Sequence, residues 1–306
     1  NLKTLTFLGG SGFIGKSLID FFNRGLMEKY KIKKINIICR KPDKLKKTKH
    51  LAFKNIKIIR GNIENLKKIP KSDIIIFGAE STNPKNYKNK KKIAKKHKKA
   101  INNFCKTLKN FQKCKVLYLS SGAVSSSQKN ILSKSNYKKI YSDLKLYSEN
   151  KIKRLSYLKI KTSIARCFTF AGPWLPKNSH YAFSNFLNDA KNKKFISVNS
   201  NETTVRSYMY SDDLVNWLLK IALNSRISCP IYNVGSDKKI SINKLAIMIG
   251  KKLKKPVKFS KKNSKKIDKY VPNISKAKKQ LNLKVNYNLM DTINLTIKHK
   301  NYEKIN

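Results

Sequence analysis

A tyrosine and a lysine four residues apart on a helix stand one turn from each other, so the ammonium acts on the phenol and can make it a usable proton carrier. That spacing occurs at Tyr30, Tyr87, Tyr141, Tyr147 and Tyr157, and in a chain with 70 lysines and arginines the tetrad alone selects none of them. Context favours Tyr141 and Lys145. They start a helical stretch that follows the apolar segment ending in Ser120-Ser121-Gly122-Ala123-Val124, and the stretch is long enough to return to the next apolar segment at Thr162. Tyr147 and Lys151 would lie half-way along the same helix and remain the alternative.

A second constellation is the glycine run Gly9-x-x-Gly12-x-x-Gly15. It is preceded by the apolar segment Leu5 to Leu8 and followed by Ile14, Leu18, Phe21 and Phe22 at helical spacing, which reads as strand, turn, helix. Glycine permits the tight turn and lets backbone N–H groups approach a pyrophosphate at the positive end of the helix. A dinucleotide site follows, with Gly9, Gly12, Phe13, Ile14 and Gly15 as its frame; a purely structural turn is the competing reading. At the end of the next apolar segment, where a carboxylate would hold the ribose hydroxyl of NAD, stand Cys39, Arg40 and Lys41. Arg40 therefore favours NADP over NAD, against the competing explanation that cations are everywhere in this sequence.

The elements that must position these groups are short apolar runs at Ile35 to Cys39, Ile56 to Ile59, Ile74 to Phe77, Val116 to Ser120 and Thr162 to Cys167. Continuous apolar strands separated by helix-compatible segments predict an α/β fold with a parallel sheet covered on both faces. Beyond Pro173 the pattern changes to longer polar stretches. The expectation is a nucleotide-binding domain over 1–172 and a mainly substrate-binding smaller lobe over 173–306, some of whose segments return to the first domain.

With 306 residues and 40% hydrophobic content the chain can bury a large core. Its apolar runs are far shorter than the roughly 20 residues of a membrane-spanning helix. No charged-then-apolar leader opens it, and its five cysteines form no CxxC pair and no metal-ligand spacing. The expectations are a cytoplasmic protein with free thiols, no metal and no membrane partner. A net charge of +54 raises nucleic acid as a rival partner, but the lysines are dispersed over solvent-facing positions, so no specific nucleic-acid site is expected. The densest run, Lys88 to Lys99, reads as a solvated face, opposite an apolar face of Ile93, His97, Ile101, Phe104 and Leu108.

Taken together these residues resemble the extended short-chain dehydrogenases/reductases, in particular the NAD-dependent epimerase/dehydratase group that acts on nucleotide sugars. Phe7 to Gly15 resembles that family's TGGxGFIG, Gly61-Asn62 its GD, Ala79-Glu80-Ser81 its AAES, and Ser120 to Val124 its SSxxVYG. Tyr141-xxx-Lys145-xxx-Glu149 matches YxxxKxxxE, Arg166 to Pro173 RxFNxxGP, Arg206 to Asp213 RxFVxVxD, and Asn233-Val234-Gly235 NVG. The departures are Leu8 for Thr, Asn62 for Asp, Ser125 for Tyr and Thr169 for Asn. The resemblance implies a Rossmann-type doubly wound sheet with a smaller C-terminal substrate-binding lobe, and a homodimer formed through the two long helices that flank the active-site strands and contain Phe104 and Leu155. It also implies that Tyr141 exchanges the proton of a sugar hydroxyl, Lys145 holds the ribose and tunes Tyr141, and Ser121 hydrogen-bonds the reacting oxygen. Asn62 and Ala79 would line the cofactor, Ser81 the substrate, and Arg206 would meet the diphosphate of a nucleotide sugar, unless it merely forms a surface ion pair.

Family members that expel water carry an Asp-Glu pair just after the catalytic Ser/Thr. Here those positions are Gly122 and Ala123. An epimerase or 4-keto reductase is therefore expected, with a 4,6-dehydratase as the alternative in which Glu80 lies over the sugar ring. A non-catalytic dinucleotide-binding or scaffold protein is the rival from another class, although it need not keep Ser121, Tyr141 and Lys145 together.

Overall fold

Seven of the chain's apolar segments pair as one parallel sheet. In the computed structural model, which describes residues 1–80, 84–128, 136–177, 181–199, 204–260 and 267–303, the strands are β1 (Lys3–Leu8), β2 (Ile32–Cys39), β3 (Ile56–Arg60), β4 (Ile74–Phe77), β5 (Lys115–Ser121), β6 (Lys161–Cys167) and β7 (Ile231–Val234). Their order is β3-β2-β1-β4-β5-β6-β7, and every pairing is parallel. This is the Rossmann arrangement expected from the sequence. β7 is the strand the sequence pattern did not mark, because its four residues carry no run longer than the surrounding polar stretches.

Alternation along each strand explains why the apolar runs are continuous. Leu5, Phe7, Ile74, Ile76, Leu117 and Leu119 join one core, together with residues of α1 (Phe13–Asn23) and of the later helix α4 (Ser211–Leu223). Leu8, Ile75, Phe77, Val116 and Tyr118 join a second core on the opposite face, beneath α2 (Lys90–Thr107) and α3 (Asn136–Lys153). There Phe104 stacks on Phe77 at 4.4 Å between ring centroids, and Phe77 on Tyr118 at 5.8 Å. Each fully buried aromatic of this kind contributes roughly 1.5–3 kcal/mol by removal from water. The apolar faces of α2 and of the turn after α3 are thus committed inside the chain, with Phe104 and Leu155 both buried.

A third core, built from Phe183, Phe186, Leu245, Ile249 and Ile293, lies among the helices Ala182–Asn192, Ile242–Leu253 and Leu289–Lys298. Beside them the strand Thr204–Ser207 pairs antiparallel with Lys239–Ser241 and parallel with Asp268–Tyr270. The segments that include α4, β7 and Ile274 to Leu283 pack against the main sheet instead. Among the described residues no helix is long and apolar enough to cross a membrane, and no His, Cys, Asp and Glu side chains gather in metal-binding groups. All five cysteines are free thiols.

Candidate active site

The strand order reverses between β1 and β4, which opens a crevice at their carboxyl ends. The glycine run spans it. Gly9 has φ +108°, and a Cβ there would stand 2.6 Å from the Gly78 carbonyl oxygen. At Gly15 a Cβ would meet the Gly10 backbone at 2.5 Å. Both glycines are required by the fold itself. Gly12 differs: its φ is −85°, and the nearest atom to a Cβ is the Gly9 oxygen at 3.7 Å, an ordinary contact. It caps α1 without supplying a side-chain acceptor, so the first-turn amides keep their anion-binding capacity. The side chains of Phe13 and Ile14 pack against the core, which leaves their amides as what they can offer a ligand.

A cleft of about 650 Å³ lies over this turn. Gly9, Gly12, Arg40, Asn62 and Ala79 line it, as expected; Gly15 is not on its wall. Arg40 is exposed, while Asp43, the nearest downstream carboxylate, is paired with Arg60 at 2.7 Å. Asn62 turns its Oδ1 to the Glu64 amide at 3.3 Å. The lysine run proves to have two faces. Lys91, Lys95, Lys98 and Lys99 are directed to solvent, whereas Lys88, Lys92 and Lys96, also exposed, line the cleft.

Tyr141, Lys145 and Glu149 recur every fourth residue on α3 and so form one stripe facing β5 and β6. The Glu149 carboxylate is fully buried and accepts from Arg166 Nε at 2.9 Å, Arg166 Nη2 at 2.7 Å and Ser120 Oγ at 2.6 Å. This forked pair from β6 fixes the rotation of α3, and with it the two residues one and two turns earlier. Ser121, at the end of β5, is close enough to the Tyr141 phenol to draw its pKa down, and its Oγ accepts from the Ala123 amide at 3.2 Å. Lys145 Nζ lies 5.8 Å from the centre of the Tyr141 ring. Ser121, Tyr141 and Lys145 therefore converge. The other tetrads do not: Tyr30 bonds Asn216, Tyr157 is 86% exposed, and Tyr147 bonds Asn102 between the ammoniums of Lys98 and Lys151. Tyr87 stands edge-on to Tyr141, with ring centroids 5.6 Å apart.

Glu80 stands at the wall of the cleft but is committed to the protein. Its side chain is buried against Lys145, whose Nζ donates to Glu80 Oε2 at 2.5 Å and to the Leu119 carbonyl at 2.8 Å. Tyr118 donates to the same carboxylate at 2.8 Å, Ser148 at 3.4 Å, and His97 Nε2 lies 3.3 Å from its other oxygen. His97 also shares a 2.8 Å hydrogen bond with Ser148. Burial alone would push the Glu80 carboxyl up, but Lys145, His97 and the hydrogen bonds hold it below the usual range. Burial would likewise lower Lys145, and Glu80 reverses this, so the lysine stays a cation. At Tyr141 burial pushes the phenol up, Lys145 and Ser121 pull it down, and Glu80 adds to the upward side. The net direction is upward, contrary to what the tetrad alone predicts, because burial outweighs the ammonium, with Glu80 adding to it.

Arg206 reaches the Asp268 carboxylate at 2.8 Å and the Asp268 carbonyl at 2.7 Å, which clasps the strand Asp268–Tyr270. That strand brings Tyr270 to 3.4 Å from Ser121 Oγ and stacks it on Phe168 at 4.7 Å. No motif pointed to Tyr270, since only the pairing of its strand with Thr204–Ser207 brings it to the site. Ser81 lies outside the described residues.

Such a fold and site define a Rossmann-type α/β protein with a Ser-Tyr-Lys constellation near a glycine-turn cleft. The sequence pattern of the NAD dependent epimerase/dehydratase family matches residues 6–235, and the chain belongs to that family. It is 27% identical over 272 residues to the dTDP-D-glucose 4,6-dehydratase of Dictyostelium discoideum, covering 78% of this chain and 60% of that protein, so the chain spans about three fifths of that relative's length. Among solved structures it is similar in fold to a UDP-N-acetylglucosamine 4-epimerase from Methanobrevibacter ruminantium (TM-score 0.78, 20% identity, 97% of this chain and 99% of that one). It also resembles the DesIV dTDP-glucose 4,6-dehydratase of Streptomyces venezuelae (TM-score 0.80, 14% identity, 98% and 97%).

Proposed function

We propose that this protein is an NAD(P)-dependent enzyme that transfers hydride to or from a nucleotide-activated sugar, as a 4-keto reductase or an epimerase. The observation that carries the reading is the convergence of Ser121, Tyr141 and Lys145 at the end of β5, beside the glycine-turn cleft. The cleft fits a dinucleotide: open space at Gly12, uncapped amides at the start of α1, and Asn62 and Ala79 on the wall. The bound cofactor would supply or accept hydride. Tyr141 would carry the proton of the sugar hydroxyl, Ser121 would hold the reacting oxygen, and Lys145 would face the ribose. The NAD-dependent family and the Streptomyces dehydratase structure with NAD bound support the cofactor class, and the exposed Arg40 on the cleft wall supports NADP. Arg206 would meet a diphosphate only by sharing its guanidinium with Asp268, and Ser81 is kept as a substrate contact on the family pattern.

The dehydratase reading draws support from the Dictyostelium relative. Against it, Gly122 and Ala123 offer no carboxyl group, and Glu80 is committed to Lys145. We also retain a homodimer in a cytoplasmic setting. Since Phe104 and Leu155 are buried, such a dimer would use the outward sides of α2 and α3 near Tyr147.

Incubation with a panel of nucleotide hexoses and their 4-keto derivatives, each with NAD(H) and NADP(H), tests the reading by mass spectrometry. A keto sugar gaining two hydrogens, or an epimer of unchanged mass, supports it. A product lighter by one water favours the dehydratase. No conversion by a protein that still binds cofactor favours the scaffold.

A further inference from the structure

The buried carboxylate paired with the site lysine is the feature that a hydride-transfer site does not by itself require. Lys145 has three N–H donors; Glu80 takes one and the Leu119 carbonyl another. Among the described residues, the side chains within hydrogen-bond or ion-pair distance of Glu80 can all donate: Lys145 and Ser148 from α3, His97 from α2 and Tyr118 from β5. A carboxylate satisfied in this way is held in one place and held ionised. Its charge reaches the phenols of Tyr87 and Tyr141 as well. A surface lysine needs no such partner. A lysine serving only to acidify Tyr141 would be weakened by it, since the pair presents little net charge.

We propose that Glu80 is a positioning residue for Lys145 that, as its contact ion-pair partner, also opposes its field at Tyr141, so that the site works as a proton donor in ketone reduction. The inference rests on the reading of Tyr141 as the proton carrier. In that direction the Tyr141 O–H bond would break and its proton would go to the carbonyl oxygen, while a bound reduced nicotinamide would supply the hydride that the carbonyl carbon takes up. The phenolate left behind takes a proton from solvent, and the alcohol is the product. Lys145 would then hold the cofactor's ribose with its remaining donor while its charge stays matched.

Charge and placement can be separated. Glu80→Gln keeps the shape and an acceptor for Lys145 but removes the negative charge. The ionisation of Tyr141 is read from tyrosinate absorbance, as the difference between a protein with Tyr141 and its Tyr141→Phe counterpart, with no substrate or cofactor added. The Tyr141 midpoint should fall by about one pH unit in Glu80→Gln, since loss of a nearby like charge stabilises the phenolate. Glu80→Asp, which retains the charge, should stay near the parent value. An unchanged or raised midpoint in Glu80→Gln overturns the proposal, as a merely structural carboxylate would leave it there. Should Glu80→Gln not fold, carbon-13 NMR of the Glu80 carboxyl in the unaltered protein decides. Ionisation persisting below the ordinary value of about 4.3 supports the proposal, and titration at or above it overturns the proposal. Because these readouts need no turnover, a protein that reduces no sugar can still show the shift, so the two readings fail separately.

Discussion

Replacing Gly12 by alanine should separate what the glycine turn does for folding from what it does for binding. A Cβ at Gly12 meets nothing closer than 3.7 Å, and the backbone there is extended rather than left-handed. Two small effects then oppose each other. Alanine restricts the unfolded chain and stabilises by about 0.4–1 kcal/mol, while it is a poorer helix N-cap than glycine by roughly 0.5–1 kcal/mol. Their sum is near zero, so the urea midpoint should stay close to that of the parent. Gly15→Ala would drive a methyl into the Gly10 backbone at 2.5 Å, and displacement of that turn should cost about 1–3 kcal/mol or more. Fluorescence titration with NADH and NADPH supplies the second axis. The Gly12 methyl would occupy the surface where a pyrophosphate must approach the α1 amides, so affinity should drop at least about tenfold, equal to about 1.4 kcal/mol. Unaltered cofactor affinity in a folded Gly12→Ala protein would refute the placement of the pyrophosphate. A loss of stability as large as that of Gly15→Ala would refute the steric reasoning.

Three further outcomes are expected. Glu149→Gln leaves the Arg166 guanidinium without its buried counter-charge and should cost about 3–5 kcal/mol, read by urea unfolding; the effect should shrink in the double variant with Arg166→Met, and an unaffected single variant would contradict the pairing. Tyr141→Phe should retain cofactor binding and lower turnover by roughly 10²–10⁴-fold, whereas Tyr147→Phe should leave it nearly unchanged; the reverse pattern would move the site to the other tetrad. Arg40→Ala should weaken NADPH by about tenfold and leave NADH alone, and tighter NADH than NADPH binding by the unaltered protein would overturn the 2′-phosphate assignment.

Much of the fold was legible because β1 to β6 are continuous apolar runs whose alternate residues enter two different cores, a pattern that only a sheet covered on both faces produces. β7 escaped notice because four residues, Ile231 to Val234, carry too little pattern of their own and gain their place from pairing with β6. The glycine turn and the Tyr141 stripe could be read since each depends on local spacing. Tyr270 could not, because its proximity to Ser121 arises from the Arg206 clasp across the second lobe. Glu80 was visible as a motif residue, yet its partner could not be chosen among the many lysines until α3 was rotated into place by Glu149 and Arg166. Lys88, Lys92 and Lys96 misled in another way: helical periodicity separates apolar from polar faces but does not distinguish open solvent from the rim of a cleft.

Those three rim lysines bear on how fast a ligand arrives, not only on how tightly it stays. A dinucleotide approaches as a polyanion, and a concave wall where Arg40, Lys88, Lys92 and Lys96 outnumber Glu64 and Glu80 concentrates a positive field, an effect that can raise encounter rates by about 10–10³-fold at low ionic strength. The advantage fades as the screening length shortens to about 8 Å near physiological salt. Cofactor capture should therefore slow steeply with added salt, while dissociation, governed by contacts at the glycine turn, changes little. A compositional excess of lysine, neutral over most of the surface, becomes at this one rim a means of gathering anions before any specific contact forms.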